Sequence, residues 1–156
     1  MLPYLDGERT PNLPRAAGLI AGLRHPTTRE EILLAAYEGA TASLVEALDL
    51  LAEQASGLDP DAPLLLIGGG ARGTVWQRVV ARLSGRTVQV PDADELVALG
   101  AAAQAAACLF GEAPEEAERR WNARSGTTIE PPPERDLETL ERVRTVLRET
   151  LPLHRG

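Results

Sequence analysis

Residues 64–71 (LLLIGGGA) run four apolar side chains directly into three glycines, and this junction limits most strongly what the chain can fold into. A helical spacing of apolar residues begins about three residues later, at Thr74 or Val75. Glycines at the end of a buried strand let backbone approach a ligand, because no Cβ intervenes and positive φ costs little. The following helix would present N–H groups and the positive end of its dipole. The pattern predicts a phosphate or nucleotide site; the alternative is a tight turn without a ligand.

Size and composition indicate one soluble domain across residues 1–156. Hydrophobic residues make up 44% of the chain but aromatic residues only 3%, so the core must consist of Leu, Ala and Val. Such a composition favours helix. The formal net charge of -7 argues against a nucleic-acid partner, since a phosphate-binding surface is basic.

No signal peptide or membrane span is expected from the sequence, which predicts a cytoplasmic protein without a membrane partner. Cys108 is the single cysteine and lies in an Ala-rich stretch, so we expect a buried thiol. His25 and His154 have no potential ligand at metal-binding spacing, and no metal site is predicted in this chain.

The order of helices and strands is predicted from helix-capping residues, from the spacing of apolar residues, and from the glycines and prolines that interrupt helices and strands. Residues 1–26 are rich in Pro and Gly and predict loop and extended segments. Thr28 and Glu31 form a capping-box pattern, which begins a long helix that should end at Gly57. The remaining predicted elements are a strand at 64–67, a helix at 75–84, a strand at 87–90, a helix at 95–110 capped by Asp94, a short helix at 115–121, and a tail of residues 131–156 with a helix at 134–150.

Only two strands are predicted, and two strands rarely form a stable sheet alone. The open edge of the strand at 64–67 must therefore be covered. Three sources are possible: residues 1–26, a second copy, or sheet-forming sequence outside this chain.

Three stretches resemble the FGGY carbohydrate kinases. Residues 18–23 (GLIAGL), followed after seven residues by the EI at 31–32 and the AAYE at 35–38, match the second signature pattern of that family. Residues 3–11 (PYLDGERTP) look like the xylulose kinase branch. Residues 67–72 (IGGGAR) resemble the family's adenosine motif, and residues 95–102 (ELVALGAA) resemble the helix after it.

The resemblance implies a helix-rich α/β fold: part of a ribonuclease-H-like, actin-like ATPase domain, namely the C-terminal half of the second kinase domain. It implies ATP as the nucleotide, with magnesium in the full enzyme. Carried over by position, Gly69, Gly70 and Ala71 would line adenine and ribose, with Thr74 nearby. Gly100 would lie at a close helix contact near the interdomain hinge.

The family's other functional parts have no counterpart among these residues. Its kinases are about three times as long, and the sugar-binding domain, the phosphate motifs and the catalytic aspartate lie outside the matched stretches. No catalytic residue is therefore predicted here, and a sugar would be bound only through the absent domain. We expect the isolated chain to be inactive as a kinase.

Two alternatives remain open at this stage. Residues 68–73 (GGGARG) also satisfy G-x-G-x-x-G, with Asp92 about 20 residues on, as in a Rossmann-type NAD(P)-binding module. The second alternative is a non-catalytic assembly module, which would pair with itself or with a separately encoded kinase half.

Overall fold

The computed structural model describes residues 1–9, 12–55, 59, 61–93, 95–122 and 125–154. Five helices and three strands follow one another in these ranges, with one 3₁₀ turn before the second helix. In chain order they are α1 (Arg29–Gln54), β1 (Leu64–Leu65), the 3₁₀ turn (Gly69–Arg72), α2 (Thr74–Ser84), β2 (Val88–Pro91), α3 (Leu96–Phe110), α4 (Pro114–Arg120), β3 (Gly126–Ile129) and α5 (Leu137–His154).

The chain divides into two compact units. The first contains residues Met1–Pro60, Arg82–Gly85 and Pro132–Gly156, and the second contains Asp61–Ala81 and Arg86–Pro131. The expectation of one domain over residues 1–156 is not tested by this division and stays a prediction.

The first unit packs the N-terminal segment against α5. Leu2 pairs with Leu19 in an antiparallel bridge, as does Glu8 with Leu13, so the segment is extended as predicted. Leu2, Tyr4, Leu13 and Ala16 are buried together. They pack on one face of α5, formed by Val143, Val146, Leu147 and Leu151. The 3.6-residue spacing of apolar residues in α5 therefore provides the wall of this core.

A capping box and several ion pairs stabilise the helices of the first unit. The Thr28 hydroxyl accepts from the Glu31 amide while the Glu31 carboxylate accepts from the Thr28 amide, so the predicted capping box is confirmed. Arg82 binds Glu38 of α1 at 2.5 Å and Asp136 at 2.6 Å. Asp136 also accepts a hydrogen bond from the Thr139 amide at 2.9 Å, which caps α5.

The pKa of Asp136 reflects this environment. Burial acts to raise it, but hydrogen bonds from Thr139 and the nearby Arg82 charge outweigh burial, so the pKa of Asp136 lies below its ordinary value. The carboxylate is therefore more stable ionised in the folded chain than in the unfolded one.

The second unit is built on a three-stranded sheet of order β1-β2-β3. β1 pairs with β2 in parallel, with Leu64 opposite Val88, as the predicted strand-helix-strand unit requires. Val80, Ala81 and Val88 form its core, with Trp76 packed against them. The prediction of only two strands was wrong, because β3 pairs antiparallel with β2 and places Ile129 opposite Val88.

β3 was not predicted, because its sequence, GTTI, has only one apolar residue and lacks the alternation of apolar and polar residues that indicates a strand. It covers the β2 edge and leaves β1 at the edge of the sheet. Among the described residues of the range 1–26, none forms a strand of this sheet.

Two further expectations differ from the structure. Cys108 is exposed rather than buried, because α3 is rich in apolar residues but buries only a small part of its surface, at Ala103, within the described residues. An added Cβ at Gly100 would meet nothing within 4 Å of the described chain, so the close helix contact expected there is absent from it. The predicted caps Gly57 and Asp94 lie outside the described residues.

Among the described residues, no single helix has the length and apolarity to cross a bilayer. The helices α3 and α4 have the necessary length and apolarity only when they are taken together, and the two helices are bent by 116° at the break between them.

Candidate functional site

The glycine turn changes the direction of the chain between β1 and α2. Gly68 has φ 94° and ψ 174°, which only glycine adopts without strain, so this position explains one of the three glycines. The next residues form the 3₁₀ turn, and α2 begins at Thr74, the first of the two positions predicted for it. The turn therefore exposes backbone at the carboxyl end of β1, where parallel sheets bind ligands.

Hydrogen bonds between residues close in sequence stabilise the turn. The Ala71 amide donates to the Gly68 carbonyl at 3.0 Å and the Gly73 amide donates to the Gly70 carbonyl at 3.2 Å. The Gln77 side chain donates from Nε2 to the Ala71 carbonyl at 2.8 Å, which ties the turn to the first turns of α2. Ala71 itself is 5% exposed. The turn is thus fixed from within the second unit, before any ligand binds.

A cavity of about 730 Å³ opens beside this turn. The turn, the end of β2 and the beginning of α3 line it, and polar groups from each element reach its wall. Its lining comprises Leu66, Ile67, Gly68, Gly69, Ala71, Arg72, Gln77, Val90, Pro91, Asp92, Ala93, Glu95, Leu96 and Thr127. A cavity of this size is large enough for a nucleoside.

The four predicted site residues occupy different positions around this cavity. Gly69 and Ala71 line it. Gly70 and Thr74 are in the turn and at the beginning of α2, but they are not among its lining residues. The structure thus brings two of the four to the cavity wall, and their role in binding a nucleotide stays a prediction.

Four polar lining residues were not predicted as site residues from the sequence: Arg72, Gln77, Glu95 and Thr127. Gln77 follows Thr74 by three residues, so its position on the same helix face was available from spacing alone. Thr127 had no such signal, because it lies on β3, whose pairing with β2 was not predicted.

The lining of this cavity combines open backbone with hydrogen-bond acceptors. An added Cβ at Gly69 or Gly70 would meet nothing within 4 Å of the described residues, so the turn offers open backbone against which a flat base can lie. Asp92 and Glu95 place carboxylates on the wall, which can accept hydrogen bonds from hydroxyl groups, and the basic residue Arg72 belongs to the same lining. No group of three or more His, Cys, Asp or Glu suited to a metal occurs in the described ranges.

A family comparison decides between the two nucleotide folds that this turn allows. The family model for the C-terminal domain of the FGGY family of carbohydrate kinases matches residues 1–109. The chain belongs to this family. The match includes the N-terminal segment, α1, the glycine turn and α3, so the resemblance seen in the sequence is confirmed.

Individual relatives agree with the family. The xylulose kinases of Streptomyces rubiginosus and Streptomyces coelicolor are 61% and 58% identical over 153 residues, or 98% of this chain. The crystal structure of xylulose kinase from Rhodospirillum rubrum matches 99% of the chain with a TM-score of 0.81 at 24% identity, which shows the fold. The fold class, a helix-rich α/β part of an actin-like kinase domain, is therefore confirmed.

The chain spans about a third of these proteins. It covers 31% of each Streptomyces xylulose kinase and 31% of the Rhodospirillum rubrum chain. About two-thirds of each of these proteins therefore has no counterpart in this chain.

Proposed function

We propose that this chain forms the adenosine-binding side of an ATP-dependent sugar kinase, and that the whole enzyme transfers a phosphoryl group from ATP to a ketopentose such as xylulose. The observation that carries the proposal is the glycine turn lining a nucleoside-sized cavity in a chain of the FGGY family. The names of the Streptomyces relatives support xylulose as the sugar.

Gly69 and Ala71 would lie against the adenine ring, because they present backbone and a single methyl group to the cavity. Glu95 and Asp92 could accept hydrogen bonds from the ribose hydroxyls. Gln77 would hold the turn in position through its bond to the Ala71 carbonyl.

The remaining parts of the reaction belong to other residues of such a kinase. Phosphoryl transfer needs the γ-phosphate, magnesium and the sugar hydroxyl to be positioned together. We place the sugar site, the phosphate loops and the magnesium ligands in the part of the enzyme outside this chain, and the reaction in the cytoplasm.

The Rossmann-type alternative has one observation in its favour. Asp92 lines the same cavity as the glycine turn, where a ribose-binding acid of a dinucleotide fold would lie. The family match over residues 1–109 outweighs it, since that match extends well beyond the strand-turn-helix unit.

A thermal-shift titration with ATP, adenosine and NADH tests the proposal. A ligand that binds only the folded chain adds about 2.7 kcal/mol at 100 times its Kd, so ATP and adenosine should both raise the Tm. NADH should raise it no further than ATP at equal concentration. The proposal would be wrong if neither ATP nor adenosine shifts the Tm, and a larger shift with NADH would favour the dinucleotide module.

A matched pair of variants locates the binding site. Gly69→Val adds a branched side chain on the cavity wall and should remove the adenosine shift. Gly100→Val makes the same change outside this cavity, also where an added Cβ meets nothing within 4 Å of the described residues, and should preserve the shift. Equal effects of the two variants would exclude the glycine turn as the site.

A further inference from the structure

The side-chain amide of Gln77 has a fixed orientation beside the glycine turn. Its Nε2 donates to the Ala71 carbonyl at 2.8 Å. A backbone carbonyl only accepts hydrogen bonds, so the nitrogen of the amide must face Ala71 and Oε1 must be the other atom of the amide. Exchanging the two atoms would place two acceptors against each other and lose the hydrogen bond. The turn itself therefore sets the orientation of Oε1.

This oxygen receives no hydrogen bond from the described part of the chain. There, the Gln77 side chain makes one hydrogen bond, which is the bond from Nε2. Gln77 is half-buried and lines the cavity of about 730 Å³. An acceptor in such a position is satisfied by water or by a ligand that brings a donor. Oε1 is thus available to a ligand that enters this cavity.

The position of Gln77 places its amide next to the base of a bound nucleoside. In the proposed function, Asp92 and Glu95 accept hydrogen bonds from the ribose hydroxyls, and the base lies against Gly69 and Ala71. The Gln77 amide is bonded to the carbonyl of Ala71. A base that lies on this turn therefore presents its edge to Gln77.

Adenine and guanine differ at the group that such an amide contacts. Adenine has a 6-amino group, which donates, next to N7, which accepts, whereas guanine has O6, which accepts, next to the same N7. The Gln77 amide offers Oε1 as an acceptor and the second hydrogen of Nε2 as a donor. This pair matches the edge of adenine, and its acceptor opposes O6 of guanine.

We propose that Gln77 selects adenine over guanine by accepting a hydrogen bond on Oε1 from the 6-amino group, while Nε2 stays bonded to Ala71. This inference rests on the proposed function, since it places adenosine in this cavity. Because the Ala71 carbonyl fixes the amide, Gln77 cannot turn to offer a donor to O6 of guanine. The glycine turn thus sets base selectivity through a residue on α2.

A role for Gln77 in supporting the turn alone leads to a different expectation. A side chain that only holds the turn in position supports every nucleoside equally, so its loss weakens all of them by the same factor. A side chain that contacts the base changes the ratio of affinities between nucleosides that differ only at C6. The ratio of two dissociation constants is therefore the quantity to measure.

Calorimetric titration of the 156-residue chain with three nucleosides tests the proposal. Adenosine has an amino group at C6, purine riboside has hydrogen there, and inosine has an oxygen. Adenosine should bind about 10-fold more tightly than purine riboside, because Oε1 has no donor in the purine riboside complex. Inosine should bind about 100-fold more weakly than adenosine, since its O6 faces another acceptor.

A matched pair of variants separates contact with the base from support of the turn. Gln77→Leu removes both polar atoms and should bring the ratio for adenosine and purine riboside close to 1. Arg78→Leu introduces the same residue at the next position, which is exposed and not among the lining residues, and should leave the ratio unchanged. If Gln77→Leu does not unfold cooperatively, the titrations of the unaltered chain decide the question by themselves.

Three results would overturn the proposal. Equal affinity of the unaltered chain for adenosine and purine riboside would show that Gln77 does not contact the 6-amino group, while binding of both would leave the proposed function intact. An equal weakening of all three nucleosides in Gln77→Leu would assign this residue to support of the turn alone. Binding of none of the nucleosides would overturn the proposed function and this inference together.

Discussion

Single glycines in this chain are required for different reasons, and only their surroundings distinguish them. Gly68 needs its positive φ of 94°. Gly126 is needed for space, because an added Cβ would overlap the Val90 carbonyl oxygen and lie 2.7 Å from the Pro91 Cα. Gly69 has neither a positive φ nor a close neighbour within the described chain. We therefore propose that the close approach of a ligand explains the glycine at this position.

We expect Gly126→Ala to lower the free energy of unfolding by about 2 kcal/mol or more, because the β2–β3 pairing must move to admit the methyl group. Gly69→Ala is the matched control, since the same methyl group meets nothing within 4 Å of the described residues. It should change stability by less than about 0.5 kcal/mol. Urea unfolding followed by circular dichroism measures both, and equal losses would contradict the steric explanation.

Helix α5 depends on electrostatics at its first turn. Asp136 caps it through the Thr139 amide and pairs with Arg82 at the end of α2. Because the pKa of Asp136 is lowered in the folded chain, its contribution to stability is fully present above the ordinary pKa of a free aspartate. That contribution is lost as the pH falls through the lowered pKa of the folded chain.

Asp136→Asn should therefore cost about 1–2 kcal/mol at pH 7, where the ion pair is lost, while asparagine still caps the helix. Below about pH 4 the loss should shrink, because the aspartate is protonated first in the unfolded chain, where it has its ordinary pKa, and only at lower pH in the folded chain. Urea unfolding between pH 3 and pH 7 measures this change. Glu134→Gln, at an exposed residue just before the helix, is the control and should leave the pH dependence unaltered.

At the scale of an element, capping explains how much of the structure was predictable. The Thr28 and Glu31 pattern predicted the beginning of α1, and α2, which was predicted to begin at Thr74 or Val75, begins at Thr74. The beginning of a helix can be predicted in this way because it depends on residues that are neighbours in the sequence. β3 had no comparable signal, since a strand depends on the strand beside it.

The whole molecule holds one side of a proposed nucleotide cleft. We expect purified chain incubated with ATP, magnesium and xylulose to form no sugar phosphate above background, because phosphoryl transfer needs ATP, magnesium and the sugar positioned together and the chain spans only about a third of the xylulose kinases that it matches. A coupled ADP-release assay measures this, with full-length Streptomyces rubiginosus xylulose kinase as the positive control. Turnover well above background would show that catalytic groups lie within this chain.

The sequence by itself determined the family, the order of most helices and the glycine turn, because signature motifs, caps and turns are local in the chain. The tertiary structure decided that β3 covers β2 and that Thr127 and Gln77 join Gly69 at one cavity. It also showed that β1 lies at the sheet edge. These features depend on which distant segments pair, and pairing is set by burial and hydrogen bonding across the fold rather than by neighbouring residues.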